Sequence, residues 1–134
     1  MIMDHSTCTI SLGSNSDDRE QQINMAIEHI SGFLNKCVVS SIYETEAING
    51  TDAPYMNAVI HGISPVGSVA LKRFLKEWES SHGRTAEPYS KGVVTIDLDL
   101  VIFDSRILRP KDFERYYFNI GYRELLANGA FQDE

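Results

Sequence analysis

The chain has 134 residues, 43% hydrophobic and 23% charged, with a formal net charge of −7. That is the length and composition of one globular domain, with no run of about 18 apolar residues to span a membrane. An acidic balance without an overall basic stripe argues against a nucleic-acid binder.

Met1 to Ser6 lacks the basic-then-apolar pattern of a signal peptide, so residues 1–6 read as a disordered lead-in to a single domain over 1–134. Thr7 to Leu12 is the first expected strand, closed by the turn residues Gly13-Ser14-Asn15. Asp17 or Asp18 can cap a helix running to about Lys36, with Ile23, Ala26, Ile27, Ile30 and Leu34 at helical spacing. Val38 to Glu46 is β-rich, residues 48–54 read as a loop, and Met56 to Ile63 is the next strand. A second helix starts around Ser64 to Ser68 and continues to about Ser81, with Val69, Leu71, Leu75 and Trp78 apolar and Gly83 as its stop. A polar stretch from Arg84 to Lys91 leads to the last strand, followed by a loop and a helix containing Tyr122 to Ala127. The order β-α-β-β-α-β predicts an α+β, ferredoxin-like antiparallel sheet with its helices on one face. Cys8 and Cys37 lie in apolar stretches and read as reduced core residues of a cytoplasmic protein.

Two aspartates stand out. Asp97 and Asp99 lie in Thr95-Ile96-Asp97-Leu98-Asp99-Leu100-Val101-Ile102-Phe103, which is otherwise apolar and strand-like. Alternation predicts Asp97, Asp99, Val101 and Phe103 on one side and Ile96, Leu98, Leu100 and Ile102 on the other. Two carboxylates about 7 Å apart along one strand face repel unless a cation lies between them. A hard divalent ion on a phosphate chain is the usual remedy, and a solvated or ion-paired strand end is the alternative. Charge elsewhere is uneven. Of the twelve Lys and Arg residues, only Arg19 and Lys36 precede residue 70. That suits a phosphate-binding second half.

Taken together, Gly13-Ser14-Asn15, Tyr43-Glu44-Thr45, Tyr55-Met56-Asn57, Glu79, Gly83-Arg84 and T-I-D-L-D over 95–99 give the chain its likeness. In this order and spacing it resembles the dihydropterin pyrophosphokinases of folate synthesis, from about Thr7 to Ala127. That family transfers diphosphate from ATP to the hydroxymethyl group of a reduced pterin, using two magnesium ions. The resemblance implies that Asp97 and Asp99 hold the two Mg2+ ions, and that Thr45 and Asn57 hydrogen-bond the pterin edge. It implies that Tyr55 flanks the pterin, that Tyr117 stacks on it where the family has Phe, and that Arg84 and Arg115 contact the ATP phosphates. Glu79 takes a supporting place, and Gly13-Ser14-Asn15 reads as a structural turn rather than a phosphate cradle.

The departures lie before and after the aspartates. Where the family carries R-W-G-P-R, this chain has Ser90, Lys91, Gly92, Val93 and Val94. The second arginine after Gly83-Arg84 is Ala86, and the family's Pro-His is Pro110-Lys111. A lysine replaces neither a stacking indole nor a bidentate guanidinium. Three readings are open: a working enzyme, a nucleotide- or pterin-binding homologue weakened in catalysis, or another two-metal phosphoryl transferase on the same sheet.

Overall fold

A computed structural model describes residues 6–84 and 92–131. Six strands form one antiparallel sheet: β1 (Ser6–Ser14), β2 (Asn35–Val39), β3 (Tyr43–Thr45), β4 (Tyr55–Ser64), β5 (Asp97–Phe103) and β6 (Arg106–Ile107). Their order is β2-β4-β1-β5-β6, with β3 also pairing β4. The helices are α1 (Arg19–Phe33), α2 (Ser68–Glu79), α3 (Pro110–Glu114) and α4 (Tyr116–Ala127). The α+β, ferredoxin-like arrangement expected from the sequence is the one observed. β1 begins at Ser6, so that residue belongs to the sheet rather than to a lead-in.

Alternation along β1 and β4 sorts the two faces. Cys8, Ile10, Leu12, Ala58 and Ile60 point to one side, where they meet Ile23, Ala26 and Ile30 of α1 and Leu71 and Leu75 of α2. This is the main core, and burying each large apolar side chain in it contributes about 1.5–3 kcal/mol. Val69, expected in this apolar set, is instead 70% exposed, because it falls off the α2 stripe that faces the sheet. A column of rings seals the helix pair: Phe33–Phe74 at 4.0 Å, Phe74–His29 at 4.6 Å, His29–Trp78 at 4.1 Å and Trp78–His82 at 3.6 Å. α1 and α2 thus share a face, as expected.

The other face is divided. Val59 and Val101 meet Phe118 and Leu125 of α4, so the C-terminal helix lies opposite α1 and α2. Gly121 permits this approach: a Cβ there would stand 2.7 Å from Val59 Cγ2 and 3.0 Å from both Ser40 Oγ and Tyr43 Oη. The rest of that face, toward Ser14 and Asp97, is left to the site.

Three sequence expectations are corrected by pairing. α1 ends at Phe33, not Lys36, because Leu34 turns extended and Asn35 enters the sheet opposite Ile63. Gly62 admits β2 at that point, since a side chain there would meet Asn35 O at 3.2 Å. The β-rich stretch after it is broken into β2 and β3, each pairing a different part of β4. In β5, a register shift opposite Thr9/Ile10 breaks the strict alternation. Val101 and Ile102 both pack toward α4, while Phe103 joins the main core. Phe103 therefore does not share a face with Asp97 and Asp99, because a bulge adds one residue and inverts the facing of the residues after it. Asp18 sits at the α1 N-cap, but its carboxylate accepts Ser16 Oγ at 2.8 Å and Gln22 Nε2 at 3.1 Å instead of capping the backbone. Among the described residues, no helix is long and apolar enough to cross a membrane.

Candidate active site

Register places the site. Gly13 of β1 stands opposite Asn57 of β4 on one side and Asp97 of β5 on the other; Ser11 stands opposite Asp99. With β3 aligning Thr45 on Tyr55, one end of the sheet gathers residues distant in sequence. A cavity of about 330 Å3 opens there, lined by Thr45, Tyr55, Asn57, Asp97, Asp99 and Tyr117 together with Ser11 to Gly13 and residues of the 46–52 loop. Such a volume lies at the lower end of small-molecule sites. All six residues that the family resemblance assigns to the pterin and the metals line this one cavity.

One end of it is a hydrogen-bonded floor. Asn57, only 3% exposed, donates from Nδ2 to Thr45 Oγ1 at 2.8 Å, to Tyr43 O at 3.2 Å and to Tyr55 O at 3.4 Å. Its amide orientation is therefore fixed by three acceptors. A Cβ at Gly13 would stand 3.6 Å from Asn57 Oδ1 and 3.5 Å from the Tyr55 ring, so glycine leaves room between them. Tyr117 is anchored from both sides. Its hydroxyl donates to Asp112, and its carbonyl accepts from the Tyr43 hydroxyl, which in turn accepts the Gly121 N–H at 3.1 Å. Burial pushes the Tyr43 phenol up to about 12, and burial with the Asp112 bond pushes Tyr117 upward as well. Both phenols are neutral donors. Tyr116, its neighbour in the chain, donates its hydroxyl to Glu46 O at 3.1 Å and so ties α4 to the loop at the cavity mouth.

The other end is dominated by charge. The Asp99 side chain is 13% exposed, and its carboxyl is pushed up to about 7 by burial and then by the charge and hydrogen bond of Asp97 beside it. Two cations pull the other way: Lys76 Nζ at 3.6 Å and Arg109 Nε at 3.7 Å, both from Asp99 Oδ1. Arg109 also binds Asp112, whose second oxygen accepts the Tyr117 hydroxyl. A chain of polar contacts thus runs from the carboxylate pair to the ring in the cavity.

Glu79 acquires a definite role. Its carboxylate, on a residue 2% exposed, accepts the Leu98 N–H at 2.6 Å and Lys76 Nζ at 3.2 Å. It therefore pins the backbone between the two aspartates. Neither Lys76 nor Arg109 stands out in the sequence. Lys76 is one of several basic residues on an amphipathic helix, and nothing in the chain order brings Arg109 to Asp99.

Arg115 is exposed at the N-terminus of α4 and is not among the described residues lining the cavity. Arg84 closes a π-helical turn over Ser80–Arg84; its side chain, like Ala86 and Lys91, lies outside the described residues. Among the described residues no group of three metal-ligating side chains forms. Two adjacent carboxylates still fit magnesium, which is held by one or two protein carboxylates and completes its shell with phosphate oxygens and water. Burial and then the charge of Asp97 raise the Asp99 pKa, and the second of these, the mutual repulsion, is relieved by such an ion.

Comparison with known proteins agrees with this geometry. Residues 9–126 match the family model described as 7,8-dihydro-6-hydroxymethylpterin-pyrophosphokinase. A 2-amino-4-hydroxy-6-hydroxymethyldihydropteridine pyrophosphokinase of Haemophilus influenzae is 27% identical over 129 residues, covering 94% of this chain and 80% of that protein. The protein of the same name from Aquifex aeolicus is 29% identical over 106 residues, covering 78% and 66%. A folate synthesis bifunctional protein of Arabidopsis thaliana is 30% identical over 96 residues, covering 70% of this chain and 20% of the larger protein.

Proposed function

This chain belongs to the 7,8-dihydro-6-hydroxymethylpterin-pyrophosphokinase family, and on that premise we propose that it transfers diphosphate from ATP to the hydroxymethyl group of a reduced pterin. The observation that carries the reading is a single cavity with a hydrogen-bonding, aromatic-edged end and a two-carboxylate end.

In the proposed reaction the pterin hydroxymethyl oxygen bonds to the β-phosphorus of ATP as the bond from that phosphorus toward AMP breaks, and the hydroxyl proton passes to solvent. Phosphoryl chemistry of this kind needs little covalent help from a protein; alignment and charge neutralisation carry it. Thr45 and Asn57 bind the edge of the pterin, and Tyr55 and Tyr117 border its ring. Asp97 and Asp99 are the residues to hold two Mg2+ ions. When bound, the metal neutralises phosphate charge and orients the diphosphate. Glu79 keeps both aspartates in place through Leu98 N–H. Lys76 and Arg109 put positive charge at the carboxylate end, in a chain that has Val94 and Ala86 where the family motif has arginines. Arg84 and Arg115 remain proposed phosphate contacts.

The test is calorimetric titration with Mg2+ and a non-hydrolysable ATP analogue, with and without 6-hydroxymethyl-7,8-dihydropterin, followed by AMP release from ATP. Binding of both ligands with AMP release is the expected result. Binding of neither overturns the reading. Nucleotide binding without pterin assigns another two-metal phosphoryl transferase. Binding of both without AMP release assigns a non-catalytic homologue, the reading that the replaced family positions Lys91, Val94 and Lys111 favour.

A further inference from the structure

Gly13-Ser14-Asn15 reads in the sequence as a turn that ends a strand, but β1 runs on through Gly13 and Ser14, which pair with Asn57 and Met56, and Gly13 lines the cavity floor. Asn15 does more than turn the chain. It is 3% exposed, and its side chain reaches two segments far from it in sequence. Nδ2 donates to Ala53 O at 3.2 Å, in the loop between β3 and β4, and to Gly92 O at 2.6 Å, in the segment before β5. Oδ1 accepts the Val94 N–H, and the Asn15 backbone N–H donates to Val94 O at 3.0 Å.

The two segments also meet directly. A Cβ on Gly92, whose φ is +79°, would lie 2.4 Å from Asp52 Oδ1. Glycine there lets the Asp52 carboxylate rest on the backbone of the second segment. Each segment serves a different end of the cavity. Ile48, Asn49 and Asp52 line it from the first, and the second runs within a few residues into Asp97 and Asp99. A primary amide suits this junction because two N–H donors and one acceptor face two carbonyls and an N–H. An aspartate there would set a carboxylate oxygen against carbonyl oxygens, and an alanine would leave buried polar groups unmatched.

We infer that Asn15 is a positioning residue that joins the pterin-facing loop to the strand bearing the carboxylates, so that each ligand finds its end of the site already set by the other. The inference rests on the proposed function, since it takes a pterin and a nucleotide as the two ligands. A ligand that orders one segment spares the second ligand that ordering, which is cooperativity through a shared element.

The experiment measures four dissociation constants by calorimetry: hydroxymethyl-dihydropterin alone, the Mg2+ complex of a non-hydrolysable ATP analogue alone, and each in the presence of the other. In wild type, each ligand tightens the other. In Asn15→Ala the two single-ligand constants stay within about threefold of wild type while that mutual tightening falls by about tenfold, a typical size for site-to-site coupling. Gly92→Ala, which drives Asp52 off the junction from the opposite side, gives the same pattern and serves if Asn15→Ala does not fold. Unchanged tightening in either folded variant overturns the inference. So does an equal loss in single and paired constants, because a merely structural residue would lower all four together. A wild-type protein that binds neither ligand overturns the proposed function itself; one that binds both without mutual tightening overturns only the role of Asn15.

Discussion

The two ends of the cavity are built on different principles. The end proposed to take the pterin is backbone register made chemical: Gly13, Thr45, Tyr55 and Asn57 are fixed by strand pairing, and the Asn57 amide is held by three acceptors. The end proposed to take the phosphates is concentrated charge, with Asp99 buried beside Asp97 and answered by the long side chains of Lys76 and Arg109. A rigid, neutral, hydrogen-bonded floor discriminates between ligands by shape and donor pattern. A cluster of charges is tuned by whatever cation joins it. Two links cross between the ends, the Asp99–Arg109–Asp112–Tyr117 contacts and the proposed junction at Asn15; away from them, substitutions at one end should leave the other unchanged.

The largest effect on this division is expected at the carboxylates. Asp97→Ala should reduce Mg2+-dependent binding of the ATP analogue and AMP release by about 10²–10³-fold or more, and leave the protein folded. Circular dichroism and calorimetry on the same sample check both halves of the statement. Retained nucleotide affinity would make the aspartate pair structural and erase the contrast between the ends.

Asn57→Ala tests the opposite end. It should weaken pterin binding by about tenfold to a hundredfold, since it leaves Thr45 and the pterin edge without their partner. Affinity for the Mg2+–nucleotide complex should stay within about twofold. Equal losses at both ligands would mean that the floor and the charged end are one unit.

The smallest effect is on stability as a function of pH and concerns Asp99. Its folded pKa of about 7 lies above the unfolded value of about 4, so the native state holds the extra proton in between. Stability of the metal-free protein should therefore fall as pH rises from about 4 to about 7, and Asp99→Asn should remove that part of the slope. Thermal unfolding in a chelating buffer across this range measures it. At pH near 7, Mg2+ binding should also release protons, seen as a calorimetric enthalpy that varies with the buffer's ionisation heat. A slope unchanged in Asp99→Asn would mean that burial and Asp97 together do not hold the Asp99 carboxyl above its ordinary range.

Much of this is legible in the chain because it depends on local alternation. Apolar spacing marks both long helices, β-branched runs mark the strands, and two carboxylates one residue apart on a strand have to share a face as far as Asp99. Local rules fail where pairing partners decide. The bulge that sends Ile102 and Phe103 to opposite faces from those expected is set by β1, and the early end of α1 is set by β4 and Gly62. The place of α4, across the sheet from α1 and α2, depends on a close approach at Gly121 that no periodicity encodes.

An α+β fold, with a pair of carboxylates beside a set of pterin-family motifs, can be read from the residue order alone, because periodicity and spacing are properties of neighbours along the chain. Folding in three dimensions selects the rest: Lys76 and Arg109 answer Asp99, Glu79 pins Leu98, and Asn15 joins two segments 38 and 77 residues away. Those contacts arise where long side chains and backbone carbonyls meet across strands, and their partners are chosen by register and packing.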